Sequence, residues 1–211
     1  QHNISQDVKW QPEQRNKTLN QLYQQTRLNI DSDLIIWPEN AVPLLQHQAR
    51  SFLDQINKLS EPFGTTVITG IPSWQLNDDE TETYHNSIIA LGAGSGIYHK
   101  QKLVPFGEYV PLQQLLRGLI APYICYEIVY PDFVRDAAKQ SDLLLTISDD
   151  SWFGTSAGPL QHLQMARMRA IENGRYLLRG TNTGVTAIID HQGRIDAQAG
   201  SFVEENLTGQ V

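Results

Sequence analysis

The stretch Ala121-Pro122-Tyr123-Ile124-Cys125-Tyr126-Glu127 is apolar up to its sulfur and polar immediately after it, and Cys125 is the one cysteine of the chain. Such a run reads as a buried strand, and the change of character at Cys125 puts the thiol at the rim of a sheet. A lone cysteine in an apolar strand is more often a small hydrophobe than a nucleophile. Two more reactive groups in similar settings upstream change that balance. Glu39 follows Leu34-Ile35-Ile36-Trp37-Pro38, and Lys100 follows Gly96-Ile97-Tyr98-His99. A carboxylate, an ammonium and a thiol at strand ends make up a base, a cation and a nucleophile.

Thiol chemistry needs these three types. A thiol is weakly ionised at neutral pH, so a carboxylate must take its proton or an ammonium must stabilise the thiolate. Attack on a carbonyl builds negative charge on oxygen. Lys100 and the backbone N–H of Tyr126 are candidates to hold it, each such donor being worth on the order of 3 kcal/mol. A site of this kind performs acyl transfer through a thioester.

Strands and helices alternate around these positions. Residues 11–29 read as an amphipathic helix, with Leu19, Leu22, Tyr23 and Thr26 at helical spacing and Pro12 at its opening. Residues 33–37 read as a strand, 44–59 as a helix and 65–70 as a strand ending in Gly70. The polar, acidic stretch 77–83 reads as a loop, and 86–91 with 96–99 as a hairpin around Gly92-Ala93-Gly94-Ser95. After the strand at Ile124 come a helix over 133–140, a strand over 143–148 and a helix over 160–173. Three late strands follow, near Leu177, over 185–189 and over 194–198, the last two joined at His191-Gln192-Gly193. Alternation of this kind favours stacked α/β layers. With 211 residues, 40% of them hydrophobic, and no linker, the chain reads as a single globular domain over 1–211.

Composition removes several classes of partner. A net charge of −7 and the lack of a basic, aromatic-interleaved patch argue against nucleic acid. No apolar stretch approaches the roughly 18 residues of a membrane span. His2, His47, His85, His99, His162 and His191 are scattered without metal-ligand spacing, so no metal and no other cofactor is expected. His162, Arg167 and Arg169 look like a cationic cluster, but on a helix pairing with Glu172 or a neighbouring acid is commoner than catalysis.

Trp37-Pro38-Glu39-Asn40, Tyr98-His99-Lys100 through Leu103-Val104-Pro105-Phe106-Gly107-Glu108, and Cys125-Tyr126-Glu127 resemble the Glu-Lys-Cys motifs of the nitrilase superfamily. Further segments narrow the resemblance to the bacterial apolipoprotein N-acyltransferases: QHNISQDVKW at 1–10, Glu108-Tyr109-Val110-Pro111, Ser151-Trp152-Phe153-Gly154, the run 161–170 (QHLQMARMRA) and Thr181-Asn182-Thr183-Gly184. It covers nearly the whole chain in order. It implies a nitrilase-like αββα four-layer sandwich with Glu39, Lys100 and Cys125 at strand ends. It also carries over Glu108 as an essential carboxylate near Lys100 or Glu39, Tyr126 and Glu127 as site residues, and Trp10 near the substrate entrance.

The implied reaction moves an acyl chain from a phospholipid to Cys125, then to the N-terminal amine of a diacylglyceryl-cysteine lipoprotein. The implied setting is the bacterial inner membrane with the domain facing the periplasm, so these residues look like an excerpt of a longer membrane protein with transmembrane helices on either side. An unpaired thiol with no intramolecular partner fits that compartment. Two departures stand out. Lys100 and Cys125 are 25 positions apart, whereas the family inserts a longer arm; the seam reads near Gly118-Leu119-Ile120-Ala121, with a mobile lid expected between Leu116 and Pro122. Asp149-Asp150 stands where the family shows Asn-Asp or Asn-Ala. The rival readings are a soluble carbon–nitrogen hydrolase using water and the same three residues, and a catalytically silent binding domain on a membrane scaffold.

Overall fold

Strands whose successive side chains are all apolar need cover on both faces. The computed structural model, which describes residues 1–77, 79–102 and 119–211, builds two such sheets. In the first, β1 (Leu34–Ile36), β2 (Thr66–Leu76), β3 (Glu82–Gly92) and β4 (Gly96–His99) lie side by side, β1 parallel to β2 and the others antiparallel. In the second, β5 (Ile120–Ile124), β6 (Leu143–Ser148) and β7 (Tyr176–Thr181) run parallel, and β8 (Ala187–Ile189) and β9 (Ile195–Gln198) return antiparallel. The helices are α1 (Gln6–Lys9), α2 (Pro12–Leu28), α3 (Arg50–Ser60), α4 (Pro131–Ala138) and α5 (Gly158–Asn173).

Alternation along the strands sorts the side chains into three apolar clusters, and these fix the layers. Val67, Ile71, Ile89 and Leu91 leave the first sheet toward Leu22 of α2 and Leu53 and Ile56 of α3. Ile68, Ile88 and Ala90 point the other way and meet Ile124, Leu145 and Ile147 of the second sheet. From that sheet's far face Tyr123, Leu144 and Leu177 pack on Val134 and Ala138 of α4 and on Leu163, Ala166 and Ala170 of α5. Leu22, Ile56, Ile88 and Leu144 are wholly buried, each stabilising the fold by about 1.5–3 kcal/mol. The order is helix, sheet, sheet, helix, the αββα sandwich that the sequence motifs imply.

Several boundaries differ from the sequence expectation. The strand placed at 65–70 continues to Leu76, pairing Pro72 with Asn86 and Leu76 with Glu82. Pro72 does not stop it because β1 reaches only as far as Ile68, so the missing N–H faces a side of β2 that has no strand partner there among the described residues. The loop placed at 77–83 is correspondingly shorter and closes by Asn77 N–H to Thr81 O at 2.9 Å. The helix expected from residue 44 begins at Arg50, because the preceding residues form turns and Gln46 N–H donates to Pro72 O at 2.9 Å. Residues 116–118 of the expected lid lie outside the described residues, and residues 120–122 open β5.

The second sheet leans on the first, and β2 in turn leans on the chain leaving β1. A Cβ on Gly70 would lie 2.5 Å from Asn40 N, 2.7 Å from Glu39 Cα and 2.8 Å from Pro38 O, all of them backbone atoms. Gly70→Ala is expected to cost about 1–3 kcal/mol of stability, read as a lower urea midpoint. An unchanged midpoint would mean that the Glu39 segment yields without strain.

Candidate active site

Each of the three strand-end residues is delivered by a short, well-tied piece of backbone. β1 hands over to Trp37, which is buried and whose N–H donates to Ile68 O at 2.8 Å, so Pro38 and Glu39 leave the sheet at a fixed angle. β4 ends at His99, and Lys100 N–H donates to Asn86 O at 2.8 Å. β5 ends at Ile124, and Cys125 opens a 3-10 turn (Cys125–Val129) with φ of 53°. A non-glycine residue in that left-handed region costs roughly 1–2 kcal/mol. The turn interrupts the pleat and leaves Cys125 partly buried against the cluster between the sheets.

Glu39 and Lys100 come together. Lys100 Nζ stands 3.7 Å from Glu39 Oε1, with neither side chain more than 7% exposed. Asn86 Nδ2 donates to Oε1 at 2.6 Å and Asp149 N–H donates to Oε2 at 2.8 Å. Burial raises the Glu39 pKa above the ordinary carboxylate value, and the Asp149 charge works the same way, against Lys100 and the two hydrogen bonds. Burial likewise pushes the Cys125 thiol up; Glu39 adds to that shift and Lys100 opposes it. Glu39 and Lys100 therefore both act on the ionisation of Cys125, and burial keeps the resting thiol neutral. Sequence reasoning missed Asn86, which binds Glu39 with its amide and Lys100 with its carbonyl. Its signal was a lone amide at the head of the apolar run 88–91.

The other expected residues fall in different places. Glu127 is fully buried, and its carboxylate accepts from Tyr98 OH, Ile124 N–H and Lys102 N–H, each at 2.8 Å, and from Gln101 N–H at 2.5 Å. Four donors occupy it, so it braces the segment after Lys100 against the end of β5. Tyr126 packs edge-on to Tyr130, ring centroids 5.7 Å apart. Trp10 is exposed at the end of α1. The neighbouring Lys9 is buried, with Nζ 2.9 Å from Asp149 Oδ2 and 3.3 Å from Glu39 O, and it moors α1 to the site. Glu108 lies outside the described residues.

Asp149 explains one departure from the motif pattern. Its carboxylate accepts from Lys9 Nζ, Asn182 Nδ2, Ser151 Oγ–H and Gln6 Nε2, all of them donors, which suits two acceptor oxygens better than an amide. Asp150 is buried beside it, bound to His162 Nδ1 at 3.0 Å and Arg179 Nη2 at 2.6 Å. The expected pairing of these α5 residues with acids is met by His162, through Asp150, and by Arg169, through Glu172. Arg169 is buried nonetheless, and so is His162. It shares a stripe with Ala166 and Ala170, at spacings of four and eight, and that apolar periodicity was the available signal. Among the described residues no group of three or more His, Cys, Asp or Glu is arranged to hold a metal ion, and no helix is long and apolar enough to cross a membrane.

Similarity to known proteins follows the same lines. The family model described as carbon-nitrogen hydrolase matches residues 1–211. The apolipoprotein N-acyltransferase of Pseudomonas syringae pv. tomato is 47% identical over 238 residues, covering 100% of this chain and 47% of that protein. The apolipoprotein N-acyltransferase of Azotobacter vinelandii is 46% identical over 240 residues, covering 100% of this chain and 46% of that protein. The chain therefore spans about half the length of the curated relatives it matches. Both alignments are longer than the 211 residues of this chain, so the relatives carry positions that it lacks. A solved carbon-nitrogen hydrolase from Helicobacter pylori shares the fold, with a TM-score of 0.73 at 20% identity over 92% of this chain and 82% of that one. A match from the first residue to the last, on a sandwich with a cysteine just past a strand end, means that the chain belongs to the carbon–nitrogen hydrolase family.

Proposed function

We propose that this chain is the acyl-transferring domain of an apolipoprotein N-acyltransferase, working through a thioester on Cys125. The observation that carries the proposal is the buried Glu39–Lys100 pair at 3.7 Å, with both groups acting on the ionisation of Cys125, in a chain 47% identical along its whole length to proteins of that name. In the first half, Glu39 takes the thiol proton as Sγ bonds to the ester carbonyl carbon of a phospholipid. Lys100 and the N–H of Tyr126, which a first helical turn leaves without an internal partner, hold the oxyanion. Its collapse breaks the ester C–O bond, and the lysophospholipid oxygen leaves with the proton from Glu39. In the second half the N-terminal amine of a diacylglyceryl-cysteine lipoprotein attacks the thioester. Glu39 takes the amine proton, the C–S bond breaks, and the proton returns to sulfur, which restores the resting site.

Thiol and base suit this order. A thiol kept neutral by burial does not react until a carbonyl is in place, and a carboxylate raised by burial is a stronger base than one in water. The motif resemblance adds Glu108 to the same set as a second essential carboxylate, with Tyr126 as a site residue, Trp10 at the substrate entrance and Glu127 acting through its brace. The rest of a full-length relative would bring the lipid from an inner-membrane setting, through transmembrane helices, to the periplasmic rim. A second reading, an amidase with water as acceptor, is favoured by the family description and the solved hydrolase of the same fold. The two share the first half and differ in the acceptor. Full-length protein incubated with phospholipid vesicles should gain one acyl mass on the Cys125 peptide and hold it until an amine acceptor is added. Loss of that mass to water at the rate seen with the amine would favour the amidase.

Cys125→Ala is expected to form no acyl-enzyme, and Cys125→Ser only a trace, because a hydroxyl is much harder to ionise than a thiol. Acyl transfer by the alanine variant above background would remove the nucleophile assignment.

For the base, Glu39→Gln is expected to slow acylation by about 10²–10⁴-fold, and Lys100→Met to block it while the protein stays folded. Wild-type acylation should fall as pH drops and Glu39 gains its proton. Burial raises the Glu39 pKa, so that limb should lie at higher pH than an ordinary Glu gives, and Glu39→Gln should lack it. A wild-type limb below the ordinary Glu range, or one retained by the Gln variant, would assign the base elsewhere.

A further inference from the structure

His162 is buried on α5, and both of its ring nitrogens face acceptors. Nδ1 stands 3.0 Å from Asp150 Oδ1, and Nε2 stands 3.1 Å from the backbone carbonyl oxygen of Cys125. Toward that carbonyl Nε2 acts as a donor, since a carbonyl oxygen only accepts. Asp150 is bound at its other oxygen by Arg179 Nη2 at 2.6 Å. Burial alone would raise the Asp150 pKa, yet His162 and Arg179 hold it below the ordinary carboxylate range. Arg179 is anchored by Nε to Val185 O at 3.2 Å, and its Nη2 lies 3.3 Å from His162 Nδ1. The chain makes room for this cluster at Gly184, where a Cβ would collide with the Asp150 carboxylate. None of these groups has a part in the transfer steps above.

Through His162 the cluster reaches the carbonyl of Cys125, the residue that stands at φ 53°. A cysteine gains nothing locally from that conformation, since it has neither the freedom of glycine nor the short amide of asparagine. Something outside the turn has to hold it. The His162 ring is not arranged as a base for the thiol, because each nitrogen already has an oxygen partner.

We propose that His162 is a positioning residue for the nucleophile: Nε2–H holds the Cys125 carbonyl, fixes the left-handed turn and so aims Sγ at the substrate carbon. Asp150 and Arg179 set the orientation of the ring. The proposal rests on Cys125 being the nucleophile, as argued above, and it adds a hydrogen bond on which that role depends.

The test uses full-length protein and p-nitrophenyl butyrate, reading the burst of nitrophenolate and the butyryl mass on the Cys125 peptide. His162→Leu is expected to slow the burst by about tenfold or more per folded molecule, with half-saturating ester concentration unchanged. His162→Gln, which restores a donor toward the carbonyl, is expected to return the rate to within about threefold of wild type. A role in stability alone would lower the melting temperature of both variants and leave the burst per folded molecule at the wild-type rate, which overturns the proposal. So would a Gln variant no faster than the Leu variant. If the Leu variant does not fold, the Gln variant decides alone, a folded protein more than about tenfold slow overturning the proposal. Wild-type protein that takes no butyryl group on Cys125 would end the nucleophile assignment and this one with it. A normal wild-type burst matched by both variants would remove only the role of His162.

Discussion

Holding a carboxylate and an ammonium 3.7 Å apart, both nearly out of water, is the constraint around which this rim is built. Desolvating two such ions costs several kcal/mol each, and attraction at that distance offsets the cost only where further dipoles point the same way. Glu39 has those dipoles in Asn86 Nδ2 and Asp149 N–H. Each provider is itself fixed by another layer: Asn86 by the β2–β3 ladder, and Asp149 by Lys9 and Asn182. At 3.7 Å the two charges lie beyond hydrogen-bond distance, so the pair is electrostatic and not directional.

Charges around the cysteine come in matched sets. Lys100 faces Glu39, Lys9 faces Asp149, and Arg179 with His162 faces Asp150. Glu127 is the exception, meeting no cation among the described residues and satisfied by one hydroxyl and three backbone N–H groups. Those donors come from both sides of Lys100 and from the residue before Cys125. A shift of Lys100 therefore pulls on the end of β5, which couples it to Cys125 through Glu127.

Much of this was legible in the sequence, for identifiable reasons. Glu39, Lys100 and Cys125 each follow a short apolar run, and a reactive group at the end of such a run has few structural uses. The four layers were legible only through the motif resemblance. Alternation says that both faces of β2, β3 and β6 are covered, but not which face meets the other sheet. Asn86 and Asp149 escaped because a single amide or acid beside a strand is commonplace until its partner, distant in sequence, is known. His162 was legible as a helix residue paired with an acid, but not its acid, Asp150, nor the Cys125 carbonyl on its other side, both of which lie on other segments. The strand read as ending at Gly70 runs on to Leu76, which was not legible because the room for Pro72 depends on how far β1 extends.

The parallel order of β5, β6 and β7 has a consequence for how the protein is made. Parallel neighbours cannot be joined by a tight turn, so each pairing waits for a crossover that contains α4 or α5. Closing these long loops is slow compared with forming the β3–β4 hairpin. On a growing chain Glu39 and Lys100 emerge before Cys125, and His162 and Arg179 emerge after it. The cysteine thus passes through synthesis with its carbonyl unheld and apart from Glu39 and Lys100, and as an ordinary thiol it stays largely protonated at neutral pH. Closing of both sheets buries it and pushes its pKa up, so the sulfur of a finished chain is less ionised at rest than that of a chain still being made.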